Sequence, residues 1–220
     1  MYLCSNGIYE NMKRIVAAFD FDGTLTTRDS FPDFIRYATG TPRFVAGFLL
    51  YSPLLVLMKL GLYSGSKAKE QVFSHFFKGW DYKRFQALGQ GYATAVENMR
   101  NESVVNQLRE HIANGDTVYI VSASIRDWVE PWSLQQGVNA VIATEAEVDA
   151  SGRLTGRFKT PNCSGQEKVK RLLEVEPQRD TYSLQAYGNS SGDKPLLAFA
   201  DEGTLVQAHN KSPKYCFIVI

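Results

Sequence analysis

The chain is short of cysteine, of charge gathered in blocks, and of anything repetitive. Its three cysteines, Cys4, Cys163 and Cys216, stand far apart. None lies at metal-ligand spacing from another, and so sparse and odd a set does not make a disulfide framework. A cysteine-stapled scaffold is excluded, and a reducing, cytosolic compartment is expected. The formal net charge is +1 over 220 residues, with no dominant acidic or basic block. That removes the electrostatic reason to expect a nucleic-acid partner, although a local anion site is compatible with a balanced total. The opening residues, MYLCSNGIYENMKR, lack the apolar run of a signal peptide and read as a short leader before a first strand. There is no internal repeat and no low-complexity tract, and the composition is that of a globular protein rather than a disordered one.

Long hydrophobic runs are also scarce. One stretch, Phe44 to Leu62 (FVAGFLLYSPLLVLMKLGL), approaches the length of a membrane span but is interrupted by Ser52, Pro53 and Lys59. A spanning helix needs roughly 20 mostly apolar residues. Three readings stay open for it: a span, a buried pair of cap helices, or a surface lying at a membrane interface. Pro53 is expected to break the stretch into two short helices, which suits an interfacial hairpin better than a rod crossing the bilayer.

Short apolar runs are what the chain does have. Ile15–Phe19, Val118–Val121, Ala140–Ala143 and Ser183–Ala186 read as buried parallel strands, and Phe217–Ile220 as a further one. Val104–Ile112, ending at Asn114-Gly115, and Gln166–Glu174 carry apolar residues at helical spacing. Such alternation predicts an α/β fold with a Rossmann-like parallel sheet covered on both faces. Val148–Phe158, with Ser151-Gly152 at its middle, reads as a small hairpin. Residues 29–114 hold no convincing strand and are read as a helical cap inserted after the first strand. Residues 1–28 and 115–220 then form the catalytic core.

Four polar clusters follow strand-like or helical segments, and ligands of open α/β sheets bind beyond the carboxyl ends of the strands. In Asp20-Phe21-Asp22-Gly23-Thr24, two carboxylates one residue apart leave the first strand into a glycine turn. One can attack phosphorus while the other handles protons. The plainer alternative is a capping turn. Ser122-Ala123-Ser124 can cradle an anion with a hydroxyl and free N–H groups, or simply cap a helix. Lys168, taken alone, reads as a solvated side chain. Gly188-Asn189-Ser190-Ser191-Gly192-Asp193 is an ordinary turn or a site for a hard cation.

The four in this order resemble the motif set of the haloacid dehalogenase superfamily, with FDFDGTLT as the most specific element. The resemblance implies a magnesium-dependent phosphatase in which Asp20 is nucleophile and metal ligand. Asp22 would be the general acid and base, its carbonyl reaching the metal. Thr24, Ser122 and the backbone at Ala123 would hold phosphate oxygens, and Lys168 would neutralise the phosphoryl group. Asn189 and Asp193 would complete the magnesium site, with Asn189 standing where the family usually has aspartate. The insertion resembles the phosphoserine phosphatase branch, which has a glutamate where this chain has Asp29. TRDSFPDF, the run 44–62 and NCSGQEKV resemble the phosphatidylglycerophosphatase C-like group. That group implies a phospholipid headgroup phosphate as substrate; separately, an apolar cap flanked by Arg43, Lys59, Lys67 and Lys69 suits an enzyme that reaches headgroups at the inner membrane surface. A small soluble ester and a weakened phosphoester-binding module are the alternatives.

Overall fold

A computed structural model describes residues 13–207. The chain opens with β1 (Arg14–Phe19) and a tight turn at Phe21–Leu25. Five helices follow: α1 (Ser30–Thr39), α2 (Thr41–Lys59), α3 (Gly65–Phe77), α4 (Tyr82–Glu97) and α5 (Glu102–Ala113). The remainder runs β2 (Thr117–Ile125), α6 (Arg126–Gln135), β3 (Ala140–Thr144), β4 (Ala146–Val148), β5 (Leu154–Phe158), α7 (Gln166–Val175), β6 (Tyr182–Gly188), α8 (Lys194–Phe199) and β7 (Glu202–Leu205). The main sheet has order β3-β2-β1-β6-β7, and every pairing in it is parallel. The α/β parallel-sheet expectation is met. The strand expected at Phe217–Ile220 lies outside the described residues.

The pleat of the strands explains why both faces are covered. On β1, Ala17 and Phe19 enter one apolar cluster while Val16 and Ala18 enter the other; on β2, Val118 and Ile120 oppose Tyr119 and Val121. The expected hairpin is present as the antiparallel pair β4–β5. It lies against α3 rather than extending the main sheet. β7 and α8 escaped the sequence reading because they are short, and β7 is exposed along its whole length.

The helical insertion leaves and re-enters the core side by side. Thr26 bridges to Arg100, the Thr27 N–H donates to Met99 O at 2.7 Å, and the Asn101 N–H donates to Leu25 O at 2.7 Å. Beyond this neck, α5 packs on β1 and β2. Aromatic residues then weld the insertion to the core. Phe34 of α1 stacks on Trp128 of α6 at 4.5 Å and meets Tyr92, Phe85 and Phe77 at 5.2, 5.6 and 5.9 Å. Each such ring pair adds about 0.5–1.5 kcal/mol beyond the area it buries.

Two expectations about the apolar run are corrected. α2 is a single helix through Pro53, not two pieces. The proline ring leaves the Leu49 carbonyl without its usual N–H partner, and the Ser52 hydroxyl donates to that carbonyl at 2.8 Å instead. Nor is the segment a buried pair of cap helices, since within α2 only Gly47 is buried. Lys69, grouped with the surface bases, turns inward instead.

Gly89 marks the closest approach between α4 and α6, where a Cβ would sit 2.1 Å from the Asp127 carbonyl oxygen. That obstacle is backbone and cannot rotate away. Gly89→Ala is therefore expected to destabilise the fold by about 1–3 kcal/mol, read from urea denaturation. An unchanged midpoint would show that the two helices do not meet at this glycine.

Candidate active site

Three adjacent strands, β2, β1 and β6, deliver polar groups to the carboxyl edge of the sheet. β1 ends at Asp20, whose N–H donates to Tyr187 O on β6 at 2.8 Å. The chain then turns through Gly23, which has φ +75° and leaves space for a Cβ only 2.0 Å from Asn189 Nδ2. Glycine is required there twice, by the backbone and by the neighbouring side chain. β2 carries Ser122 and Ser124 before α6, and β6 ends at Gly188 before Asn189. Lys168 enters from the first turn of α7.

Lys168 is the central group and is almost wholly buried, with 1% of its surface exposed. Its ammonium donates to Asp20 Oδ1 at 2.6 Å, Asp193 Oδ1 at 2.6 Å and Val121 O at 2.7 Å, using all three of its protons. Burial works against its charge, but the Asp20 and Asp193 carboxylates hold the ammonium above its ordinary pKa. Asp193 is kept below the usual carboxylate range by Lys168 in spite of burial. Asp20 moves the other way: burial pushes it up to about 6, with Lys168 opposing and Asp193 and Asp22 reinforcing. The asymmetry is physical, because Asp193 also accepts from the Ser190 N–H and hydroxyl, whereas Asp20 faces one cation and two like charges.

The other Asp20 oxygen, Oδ2, accepts from the Thr24 hydroxyl at 2.9 Å. Asp22 stands apart from the lysine. Its Oδ1 accepts from the Ser30 N–H at 2.7 Å and its Oδ2 from the Ser124 hydroxyl at 2.5 Å. Ser30 Oγ lies 3.2 Å from Ser124 Oγ and accepts from Trp128 Nε1 at 3.0 Å. The two aspartates therefore sit in different environments, one beside a cation and one held by neutral donors. Ser122 is buried and its Oγ accepts from the Ser124 N–H at 3.0 Å.

The loop after β6 is organised by Asp193, whose Oδ2 accepts from the Asn189 N–H at 3.1 Å, the Ser190 N–H at 2.9 Å and the Ser190 hydroxyl at 2.6 Å. Among the described residues, Asn189 Oδ1 is the buried side-chain polar atom that has no hydrogen-bond partner. An orphaned buried oxygen of this kind fits a hard cation. No cluster of three or more His, Cys, Asp or Glu side chains suited to a metal occurs among the described residues. The donors on hand are thus the Asp20 carboxylate, the Asn189 amide oxygen and main-chain carbonyls. Such an all-oxygen set suits magnesium rather than zinc or copper.

Asp29 caps α1, accepting from the Phe31 N–H at 2.7 Å. Burial and the charge on Asp22 push its carboxyl up to about 7, against the pull of Lys69. Lys69, on α3, donates to Ala123 O at 3.1 Å and lies 4.9 Å from the centre of the Phe31 ring. Sequence reasoning missed Lys69, Ser30, Ser124 and Trp128 as parts of this site. Ser124 stood inside a quoted motif and Ser30 one residue after Asp29, so both were within sight. Nothing local to Lys69 distinguishes it from its exposed neighbour Lys67.

The carboxyl edge of the parallel sheet thus gathers carboxylates around a buried lysine. The model of haloacid dehalogenase-like hydrolases matches residues 17–198, and the chain belongs to that family. It is similar to Protein CicA of Caulobacter vibrioides, with 34% identity over 189 residues covering 86% of this chain and 84% of that one. Its fold resembles a structure of a Bordetella pertussis protein with unknown function, at TM-score 0.74 and 24% identity, covering 86% and 88% of the two chains. It also resembles a phospho-aspartyl intermediate analogue of phosphoserine phosphatase, at TM-score 0.58 and 16% identity, covering 86% and 84%. At these identities the two structural likenesses concern the fold.

Removing the lysine would leave two buried carboxylates facing each other. Lys168→Met is expected to lose about 3–5 kcal/mol of stability, measured by urea unfolding in the presence of a chelator. Adding Asp193→Asn should recover part of that loss. A single variant as stable as the parent would show that the buried triad is not paired as described.

Proposed function

We propose that the protein is a magnesium-dependent phosphatase that hydrolyses a phosphate monoester through an aspartyl-phosphate on Asp20. The observation that carries this reading is the separation of the two aspartates: Asp20 beside the Lys168 ammonium, Asp22 held by Ser30 and Ser124. The Asp20 carboxylate attacks phosphorus, forming an acyl phosphate as the ester oxygen departs with a proton from Asp22. Asp22 then takes a proton from water, whose oxygen attacks the same phosphorus and releases inorganic phosphate and Asp20. Lys168 offsets the negative charge gathered around Asp20. The Ser122 hydroxyl and the N–H groups around Ala123 bind phosphate oxygens, while Thr24 fixes the orientation of Asp20.

The residues suited to magnesium are Asp20, the Asp22 carbonyl and Asn189. Asp193 belongs to the same group and also holds the 189–190 backbone in place. When bound, the ion supplies charge neutralisation to the phosphoryl oxygens.

In our reading residues 29–114 enclose the substrate, with α5 counted on the sheet side because it packs there. Asp29 and Lys69 then face the part of the substrate beyond the phosphate. A phospholipid headgroup phosphate, such as phosphatidylglycerophosphate, is the preferred substrate, hydrolysed in the cytoplasm at the inner membrane face. The exposed apolar α2 supports it. The Asp29–Lys69 pair supports a second reading, a small soluble ester such as phosphoserine or histidinol phosphate. Asn189 in place of an acid would favour a phosphoester-binding module with weakened turnover.

A panel of phosphatidylglycerophosphate, phosphoserine, histidinol phosphate and sugar phosphates, assayed with magnesium, separates these readings; failure to hydrolyse any ester would leave only the binding module. On the best substrate, Asp20→Asn should abolish turnover, and Asp22→Asn should reduce kcat by about 10²–10⁴-fold. Near-parental rates in Asp20→Asn would remove the covalent route. Asn189→Asp should lower the magnesium concentration giving half-maximal rate, because it adds a charged ligand. An unchanged titration would detach Asn189 from the metal.

A further inference from the structure

α2 presents an unusual surface. At about 100° per residue, Val45, Leu49, Leu50, Val56, Leu57 and Leu60 share one arc of the helix roughly 140° wide. All six are exposed, Leu49 and Leu50 at 69% and 66%. The opposite side carries Phe44, Phe48 and Tyr51, which pack on the cap's aromatic core, and Gly47, where Phe76 comes so near that a Cβ would lie 2.2 Å from its ring. A helix apolar on both sides is ordinarily buried in protein or in lipid. Here only one side is covered.

The charge around the arc selects what covers the other side. From Phe34 to Lys69 the sequence contains no aspartate or glutamate, but five bases. Arg36 pairs with Asp33 and Lys69 turns to Ala123, which leaves Arg43, Lys59 and Lys67 exposed around the helix. A second copy docked through the same face would bring these bases against one another with no acid to meet them. An anionic bilayer offers both an apolar interior edge and negative headgroups. A crossing orientation does not fit, because a helix seated on Phe76 through Gly47 cannot be surrounded by lipid.

We propose that α2 is a docking helix that lies in the plane of an anionic membrane surface and holds the protein there peripherally. Its purpose rests on the phosphatase reading: α2 packs on α1 and α3, the helices that carry Asp29 and Lys69 to the site. Docking through α2 would bring that site to phosphate groups carried by lipid.

The test is sedimentation of the full-length protein with vesicles of phosphatidylcholine alone or mixed with phosphatidylglycerol. Binding is expected only to the mixed vesicles and to weaken as salt rises. Leu49→Glu/Leu50→Glu should reduce it at least about tenfold, and Arg43→Glu or Lys59→Glu by about fivefold each. All four side chains are exposed, so unchanged circular dichroism and melting are expected for the variants. Hydrolysis of a soluble aryl phosphate, measured in parallel, reports on the site alone. Protein that hydrolyses the aryl phosphate but stays in the supernatant overturns docking and leaves the phosphatase; inactive protein that sediments does the reverse. Equal binding to neutral vesicles, or a concentration-dependent dimer in ultracentrifugation that Leu49→Glu/Leu50→Glu dissolves, would also overturn it.

Discussion

The carboxylates of Asp20 and Asp193 at the carboxyl edge of the sheet depend on one buried ammonium. Lys168 has no water to solvate it, so its charge survives only because Asp20, Asp193 and the Val121 carbonyl converge on it. Those three acceptors come from the residue after β1, the middle of β2 and the loop after β6, and the lysine ties these chain segments at one point. Two acids would not stay ionised side by side there without it. The same arrangement leaves Asp20 poised, pressed toward neutrality by burial and held back by a single cation.

The cap belongs to this arrangement and is not hinged loosely above it. Phe34, Phe77, Phe85 and Tyr92 share one continuous apolar cluster with Trp128 and Trp132 of α6 and with Phe19 of β1. The Thr26–Arg100 bridge closes the neck through which the insertion leaves and returns. Packing therefore fixes the position of α1 relative to the sheet, and with it Ser30 and Asp29. It also leaves one side of α2 uncovered, the other being seated on the aromatic cluster through Phe44, Phe48 and Tyr51.

The strands bearing the site were legible because buried parallel strands are short unbroken apolar runs, and Ile15–Phe19 and Val118–Val121 are nothing else. Asp20, Lys168 and Asp193 were legible through the order of four motifs, and they converge as that order requires. What stayed hidden was anything set by tertiary contact. Lys69 and Lys67 look alike in sequence, and only the packing of α3 turns one toward Ala123 and the other to solvent. Pro53 signalled a break because the rescue of its orphaned carbonyl by the Ser52 hydroxyl leaves no trace in periodicity. β7, short and exposed, had no apolar run to announce it.

The way Asp22 is held carries its own consequence. One of its oxygens accepts from Ser30, the first residue of α1, and the other from a serine on the sheet. Those two donors touch each other, and the cap serine is held in turn by the Trp128 indole. The carboxylate therefore works as an interlock between two bodies. Moving α1 away from the sheet would withdraw one of its two donors. Asp22 is thus fully hydrogen-bonded only while α1 stays seated on the sheet, so the packing of one helix sets the environment of a carboxylate on another element.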